Sequence, residues 1–121
     1  MIEELDLTMR AFTVRYLKLR EEVEVARRLA LVLRASPHCE HAKLHYRAGR
    51  YAYLHEHRPG GRRFRLYVGC CPARIRKAEL LVARGRRVTQ ARQRLSDMDA
   101  ICAQLIGAIE SLGAMLDLAA E

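Results

Sequence analysis

Tryptophan is absent from this chain of 121 residues, and phenylalanine occurs only twice. A core without large aromatic side chains has to be filled by Leu, Ile, Val, Ala and Met, which favours helices packed on one another. Long apolar runs are missing as well. No stretch approaches the roughly 18 consecutive apolar residues of a membrane span, and the opening MIEELDLTMR is acidic where a secretory signal would be basic. We therefore expect a cytoplasmic protein with no membrane partner. The four cysteines fit a reducing compartment, since Cys102 lies on an apolar helical stripe and the adjacent pair Cys70-Cys71 makes a poor disulfide framework.

Arrangements that carry chemistry are scarce too. Serine occurs only at 36, 96 and 111, at a helix end or on helix surfaces, and the acidic residues stand far from the histidines. Gly60-Gly61 belongs to a turn and not to a phosphate-binding loop. A tyrosine nucleophile would have only its arginine neighbours in its favour. These absences lead us to expect no enzyme and no cofactor.

What the chain does have is helical periodicity at both ends. Ile2, Leu5, Met9, Phe12, Tyr16, Leu19, Val23, Ala26, Ala30 and Leu33 alternate spacings of three and four, which predicts a helix over 2–35 with an a/d seam. A second row of Leu7, Val14, Leu17, Val25, Leu29 and Val32 widens the apolar surface beyond what one partner helix covers. Ser36-Pro37 ends the helix. A second helix over 73–119 follows Pro72, with Leu81, Val88, Ala91, Leu95, Met98, Cys102, Leu105, Ile109, Leu112 and Leu116 in its seam. Gly85, Gly107 and Gly113 each cost roughly 1 kcal/mol there, so a kink or a close helix contact is expected at one or more of them.

Between the helices, residues 42–68 change to a period of two. Ala42, Leu44 and Tyr46 alternate with Lys43, His45 and Arg47; Ala48-Gly49-Arg50 makes a tight turn; Tyr51 to Gly69 reads as a hairpin broken at Arg58-Pro59-Gly60-Gly61. Phe64, Leu66 and Val68 share one face of its second strand, and Arg63, Arg65 and Tyr67 share the other. The expected fold is mainly α within an α+β class. It is a single domain over 1–121: an antiparallel long-helix hairpin, a coiled coil, capped by a small three-stranded antiparallel sheet, pairing with a second copy as a homodimer through the heptad helices.

Charge is distributed unevenly. The net charge is +8, yet residues 38–94 hold 15 Lys or Arg against 3 acidic residues, and the last 27 residues hold no Lys or Arg and 5 acidic ones. Such an excess points to a polyanion. Lys43, Arg47, Arg50, Arg62, Arg63 and Arg65 from the sheet could neutralise phosphates together with Arg74, Arg76, Lys77, Arg84, Arg86 and Arg87 from the root of the second helix. Tyr51, Tyr53 and Tyr67 could stack on bases or bond to phosphates. Zinc is the competing use of His38, Cys39, His41, His45, His55, His57, Cys70 and Cys71, but the usual ligand spacings are missing. His41 and His45 on a strand would stand about 13 Å apart, and no metal is expected.

The run Tyr51-x-Tyr53, Arg58, Gly61-Arg62-Arg63, Arg65 and Tyr67-Val68-Gly69, followed by a basic helix, resembles a segment of small uncharacterised prokaryotic proteins associated with mobile elements. It is also similar to the three-stranded arm-type DNA-binding modules of tyrosine recombinases. The resemblance covers about residues 42–95; it implies DNA association and assigns no catalytic residue. The long N-terminal heptad helix and Cys70-Cys71 depart from it. The functional expectation is a non-enzymatic nucleic-acid-binding protein, DNA ahead of RNA. The alternative is a protein-protein interaction module, such as a phage or mobile-element adaptor or an inhibitor of a nucleic-acid enzyme.

Overall fold

The computed structural model describes residues 1–58 and 60–120. Pro59, assigned above to the hairpin turn, and Glu121, counted among the acidic C-terminal residues, lie outside them. The element order is α1 (Ile2–Ala35), β1 (Ala42–Arg47), β2 (Tyr51–Arg58), β3 (Arg62–Gly69) and α2 (Pro72–Ala120). Two helices and a three-stranded antiparallel sheet are thus present, mostly helical, with boundaries within one residue of the periodicity. Glu3 and Glu4 sit in the first turn of α1 and Arg34 in its last, each matching the helix dipole. Ser36 leaves the helix with its hydroxyl donating to the Val32 carbonyl. The ion pairs Arg10–Asp6 (3.0 Å) and Arg27–Glu24 (2.7 Å) are exposed, and such helix pairs contribute about 0.3–0.5 kcal/mol each.

The chain divides into two compact units. One joins α1 up to Arg28 with α2 from Gln93 onward, and the other is Leu29–Arg92. In the first unit Val23, Met98 and Leu105 are buried, all three from the predicted seams, with Leu5, Met9, Phe12, Tyr16 and Leu19 half-buried. The second apolar row behaves differently: Leu7, Val14, Leu17 and Val25 are 55–66% exposed. Leu7, Val14 and Val25 each lie two residues beyond a seam position, about 200° around a helix of 3.6 residues per turn. The row therefore lies on the far side of α1 from the seam instead of broadening it. Ile101, Ile106, Met115 and Leu118 of α2 are exposed too. By length and composition α2 is apolar enough to cross a membrane, with an 18-residue window of mean hydropathy 1.5. Isolated carboxylates such as Glu110 and Asp117 interrupt the apolar run in α2 without lowering its average hydropathy much, so no stretch of consecutive apolar residues announces it.

In the second unit the strands run in the order β1-β2-β3. Its core is small: Ala42, Leu54 and Val82, with Cys39, Leu44 and Val68 packed against them. Val82 belongs to α2, so the helix lies behind the sheet, and Tyr46 on the same side donates its hydroxyl to Glu79 at 3.1 Å. Phe64 and Leu66, on the apolar face that β3 was expected to share with Val68, are nonetheless 40% and 49% exposed. The core residues come from β1, β2 and the end of β3, and the rest of this edge strand is exposed. Phe64 is instead covered by Arg58, whose guanidinium carbon stands 4.1 Å from the ring centroid.

Gly85 is where α2 meets the loop that enters the sheet. A Cβ there would overlap the Cys39 carbonyl group and come within 3.0 Å of the Glu40 amide nitrogen, whereas Gly107 and Gly113 face open space. The Cys39 amide donates to the Leu81 carbonyl at 3.0 Å one turn earlier. The expected close contact with a helix is not what these glycines show: the one close approach, at Gly85, is to loop backbone.

The β1–β2 turn closes with the Arg50 amide donating to the Arg47 carbonyl at 3.3 Å. It holds Ala48 at φ 55° and Gly49 at φ 69°. A left-handed alanine costs about 1 kcal/mol or more, and glycine there would carry extra freedom when unfolded. Ala48→Gly is expected to raise stability by roughly 0.5 kcal/mol and Ala48→Val to lower it. Thermal unfolding should show melting shifts of opposite sign; equal shifts would contradict strain at this position.

Candidate nucleic-acid interface

Cross-strand register decides which side chains share a surface. Lys43 pairs with His55 and His55 with Arg65; His45 pairs with Tyr53 and Tyr53 with Tyr67; Arg47 pairs with Tyr51 and His57 with Arg63. Because side chains alternate along a strand, all ten stand on the face away from α2. That face carries four permanent cations, three histidines and three tyrosines. The one carboxylate in the strands, Glu56, pairs with Ala42 and Phe64 on the helix side. A register shift at Ala52/Tyr53 sets Gly69 opposite Ala52 and Tyr67 opposite Tyr53, leaving Val68 as the extra residue.

The face is organised internally. Arg65 lies over the Tyr53 ring at 4.5 Å, and the Tyr53 and Tyr67 rings are tilted with centroids 5.2 Å apart. Tyr67 is 56% exposed and Tyr53 is half-buried beneath Arg65, so Tyr67 is the ring open to a stacking base. Lys43, His45, Arg47, Arg63 and Arg65 are exposed. At the turn, the Arg50 guanidinium stands 5.2 Å from the Tyr51 ring.

Seven of the expected nucleic-acid-binding residues come together here: Lys43, Arg47, Tyr51, Tyr53, Arg63, Arg65 and Tyr67. Arg62 is on the opposite face of β3, in register with Arg58. Arg74, Arg76, Lys77, Arg84 and Arg87 stand on α2, whose Val82 packs against the other side of the sheet. Of the expected helix cations, Arg86 reaches the sheet, lining one cleft with Lys43, Tyr46 and Glu79 and another with His41, Lys43 and His57. The basic residues are therefore divided between a sheet face and a helix behind it, joined along the β1 edge by Arg86 and Lys43.

The histidines His45, His55 and His57 were not among the residues expected to bind nucleic acid, although histidines on a surface sheet more often meet solvent or phosphate than zinc. Among the described residues no three His, Cys, Asp or Glu side chains converge so as to hold a metal ion. Their positions match the parity of Lys43, Arg63 and Arg65, and that alternation was the signal that could have placed them in the interface. The His45 and His55 rings are 4.2 Å apart.

Cys71 precedes α2 and caps it. Hydrogen bonds from the Arg74 and Ala73 amides, then the charges of Arg74 and Arg76, pull its thiol below the ordinary value. Burial and Glu56 push Cys39 the other way. Iodoacetamide is expected to alkylate Cys71 first, several-fold faster than Cys39 near neutral pH, as peptide mapping would show. Equal rates would contradict the cap.

Compared with protein-family models, with curated proteins and with solved structures, the chain finds no match.

Proposed function

We propose that this is a non-enzymatic nucleic-acid-binding protein, DNA ahead of RNA, which grips the phosphodiester backbone with the exposed face of its sheet. The observation that carries the reading is the register, which gathers Lys43, Arg47, Arg63 and Arg65 with three tyrosines on one face and turns Glu56 away from it. Each phosphate neutralised releases condensed counterions, so four cations imply a logarithmic salt slope of about −3 to −4. A base stacked on Tyr67 adds about 1–3 kcal/mol with little sequence preference. Three strands at about 4.8 Å spacing span about 10 Å, within the roughly 12 Å of a DNA major groove. Ultraviolet crosslinking of a labelled oligonucleotide, followed by peptide mapping, tests the placement. Crosslinks at Tyr53 or Tyr67 are expected; crosslinks confined to α2, or none, would overturn it and favour an adaptor that binds protein.

We infer further that α1 and α2 form an antiparallel coiled-coil hairpin that pairs with a second copy in the cytoplasm. Supporting the hairpin, the seam residues Val23, Met98 and Leu105 are buried while the far row is not. Supporting the pairing, that far row gives α1 a second apolar side, which one intramolecular partner cannot cover. Sedimentation equilibrium is expected to report a dimer for the wild type and a monomer for Val14→Glu/Leu17→Glu. A monomeric wild type would contradict the pairing.

A further inference from the structure

The row Lys43–His55–Arg65 runs across all three strands, with His45 beside it on β1, His57 on β2 and Arg63 on β3. These six side chains line one cleft of about 420 Å³, whose walls are completed by Glu56 and Phe64. The Nε2 atom of His55 is shielded from solvent and has no hydrogen-bond partner among the described residues. A ring nitrogen in that state, on a residue paired across the strands with Lys43 and Arg65, lacks an acceptor if it carries a proton and a donor if it does not. A phosphate oxygen would supply the acceptor and at the same time neutralise the cations around it.

We propose that this cleft is a phosphate-group site, with Lys43, His55 and Arg65 as its central donors and His45, His57 and Arg63 around them, and that filling it loads a proton onto His55. The proposal rests on the nucleic-acid reading for the source of the phosphate, a backbone phosphodiester, although free inorganic phosphate offers the same chemistry. The groups on the His55 face that are cationic or become so on protonation are Lys43 and His45 from β1, His57 from its own strand, and Arg63 and Arg65 from β3; the Tyr53 phenol stands two residues along β2 on the same face. Glu56 is the one carboxylate at the cleft wall, and its strand position directs it to the other side of the sheet.

The direction of the proton linkage follows. In the free protein His55 is held below the ordinary histidine value, first by desolvation and then by the charges of His45, Arg65 and His57. The folded state binds that proton less readily than the unfolded chain, so this contribution to stability is complete above about pH 6.5 and is lost as pH falls. A bound phosphate reverses the local field and draws the proton in. Affinity for phosphate therefore rises as pH falls, by up to about tenfold for each unit by which binding raises the His55 value.

The test has two arms, both on the full chain at constant ionic strength. Affinity for a short labelled DNA is measured at about pH 8 and about pH 6 for the wild type, His55→Gln and His57→Gln. In parallel, the histidine ring protons are followed by NMR while inorganic phosphate is added. We expect wild-type affinity to rise about tenfold at the lower pH, His55→Gln to flatten that rise, and phosphate alone to raise the titration midpoint of His55. DNA binding with no pH dependence, or with one that His55→Gln leaves intact, would overturn the cleft while leaving the nucleic-acid reading in place. A His55 response to phosphate without DNA binding would uphold the cleft and remove its source. No response in either arm would remove both.

Discussion

Replacing Lys43, Arg63 and Arg65 together with alanine is expected to weaken nucleic-acid binding by on the order of 100-fold near physiological salt. The same change should reduce the logarithmic salt slope by about 2 to 3. The three side chains are exposed and stand on one face of the sheet, so their removal takes away phosphate contacts without opening the small core of Ala42, Leu54 and Val82. The informative control is Arg62→Ala. Arg62 adjoins Arg63 in sequence but pairs with Arg58 on the helix side, so its loss should cost less than about tenfold and shift the slope by well under one. Fluorescence anisotropy across a salt series separates the two. If Arg62→Ala matched the effect per charge of the triple variant, binding would depend on net charge and not on the face; an unaffected triple variant would place the site elsewhere.

Gly85→Ala is expected to cost at least about 3 kcal/mol, the upper part of the range for overpacking. The reason is geometric: the added methyl would overlap the Cys39 carbonyl group and crowd the Glu40 amide, and neither is the flexible end of a side chain. Relief requires the loop to lift from α2, which breaks the 3.0 Å hydrogen bond from the Cys39 amide to the Leu81 carbonyl and loosens Ala42 in the core. Gly107→Ala and Gly113→Ala meet open space and should stabilise by up to about 1 kcal/mol through helix propensity. Denaturant titration of the three variants measures this directly. A Gly85→Ala protein as stable as the wild type would show that the loop does not rest on the helix at that point.

Much of this architecture was legible because its signals are periodic. The three-four spacing of Leu5, Met9, Phe12, Tyr16 and Leu19 gave α1, and the alternation of Lys43, His45 and Arg47 with Leu44 and Tyr46 gave β1. What stayed hidden depends on how elements stack. Nothing local says that Phe64 and Leu66 stay exposed, because their alternation is that of any half-buried strand. Nor could charge density show that Arg62, Arg74, Arg76, Lys77, Arg84 and Arg87 do not share the face of Arg63 and Arg65, since it counts residues without assigning them a side. Strand parity was enough to separate Arg62 from Arg63. For the helix residues, the separation depends on Val82 meeting Ala42 and Leu54, a long-range contact that no local spacing announces. His45, His55 and His57 were in view but left out of the expected interface, although parity had already set them beside the arginines.

The measurement that bears most directly on the central claim is the affinity of the wild-type protein for single-stranded DNA, duplex DNA and RNA between about 50 and 200 mM salt. A cationic sheet face gripping phosphates predicts measurable binding at the low end, falling with a logarithmic slope of about −3 to −4 for each sheet face engaged. No binding to any of the three at low salt, or binding indifferent to salt, would contradict the account.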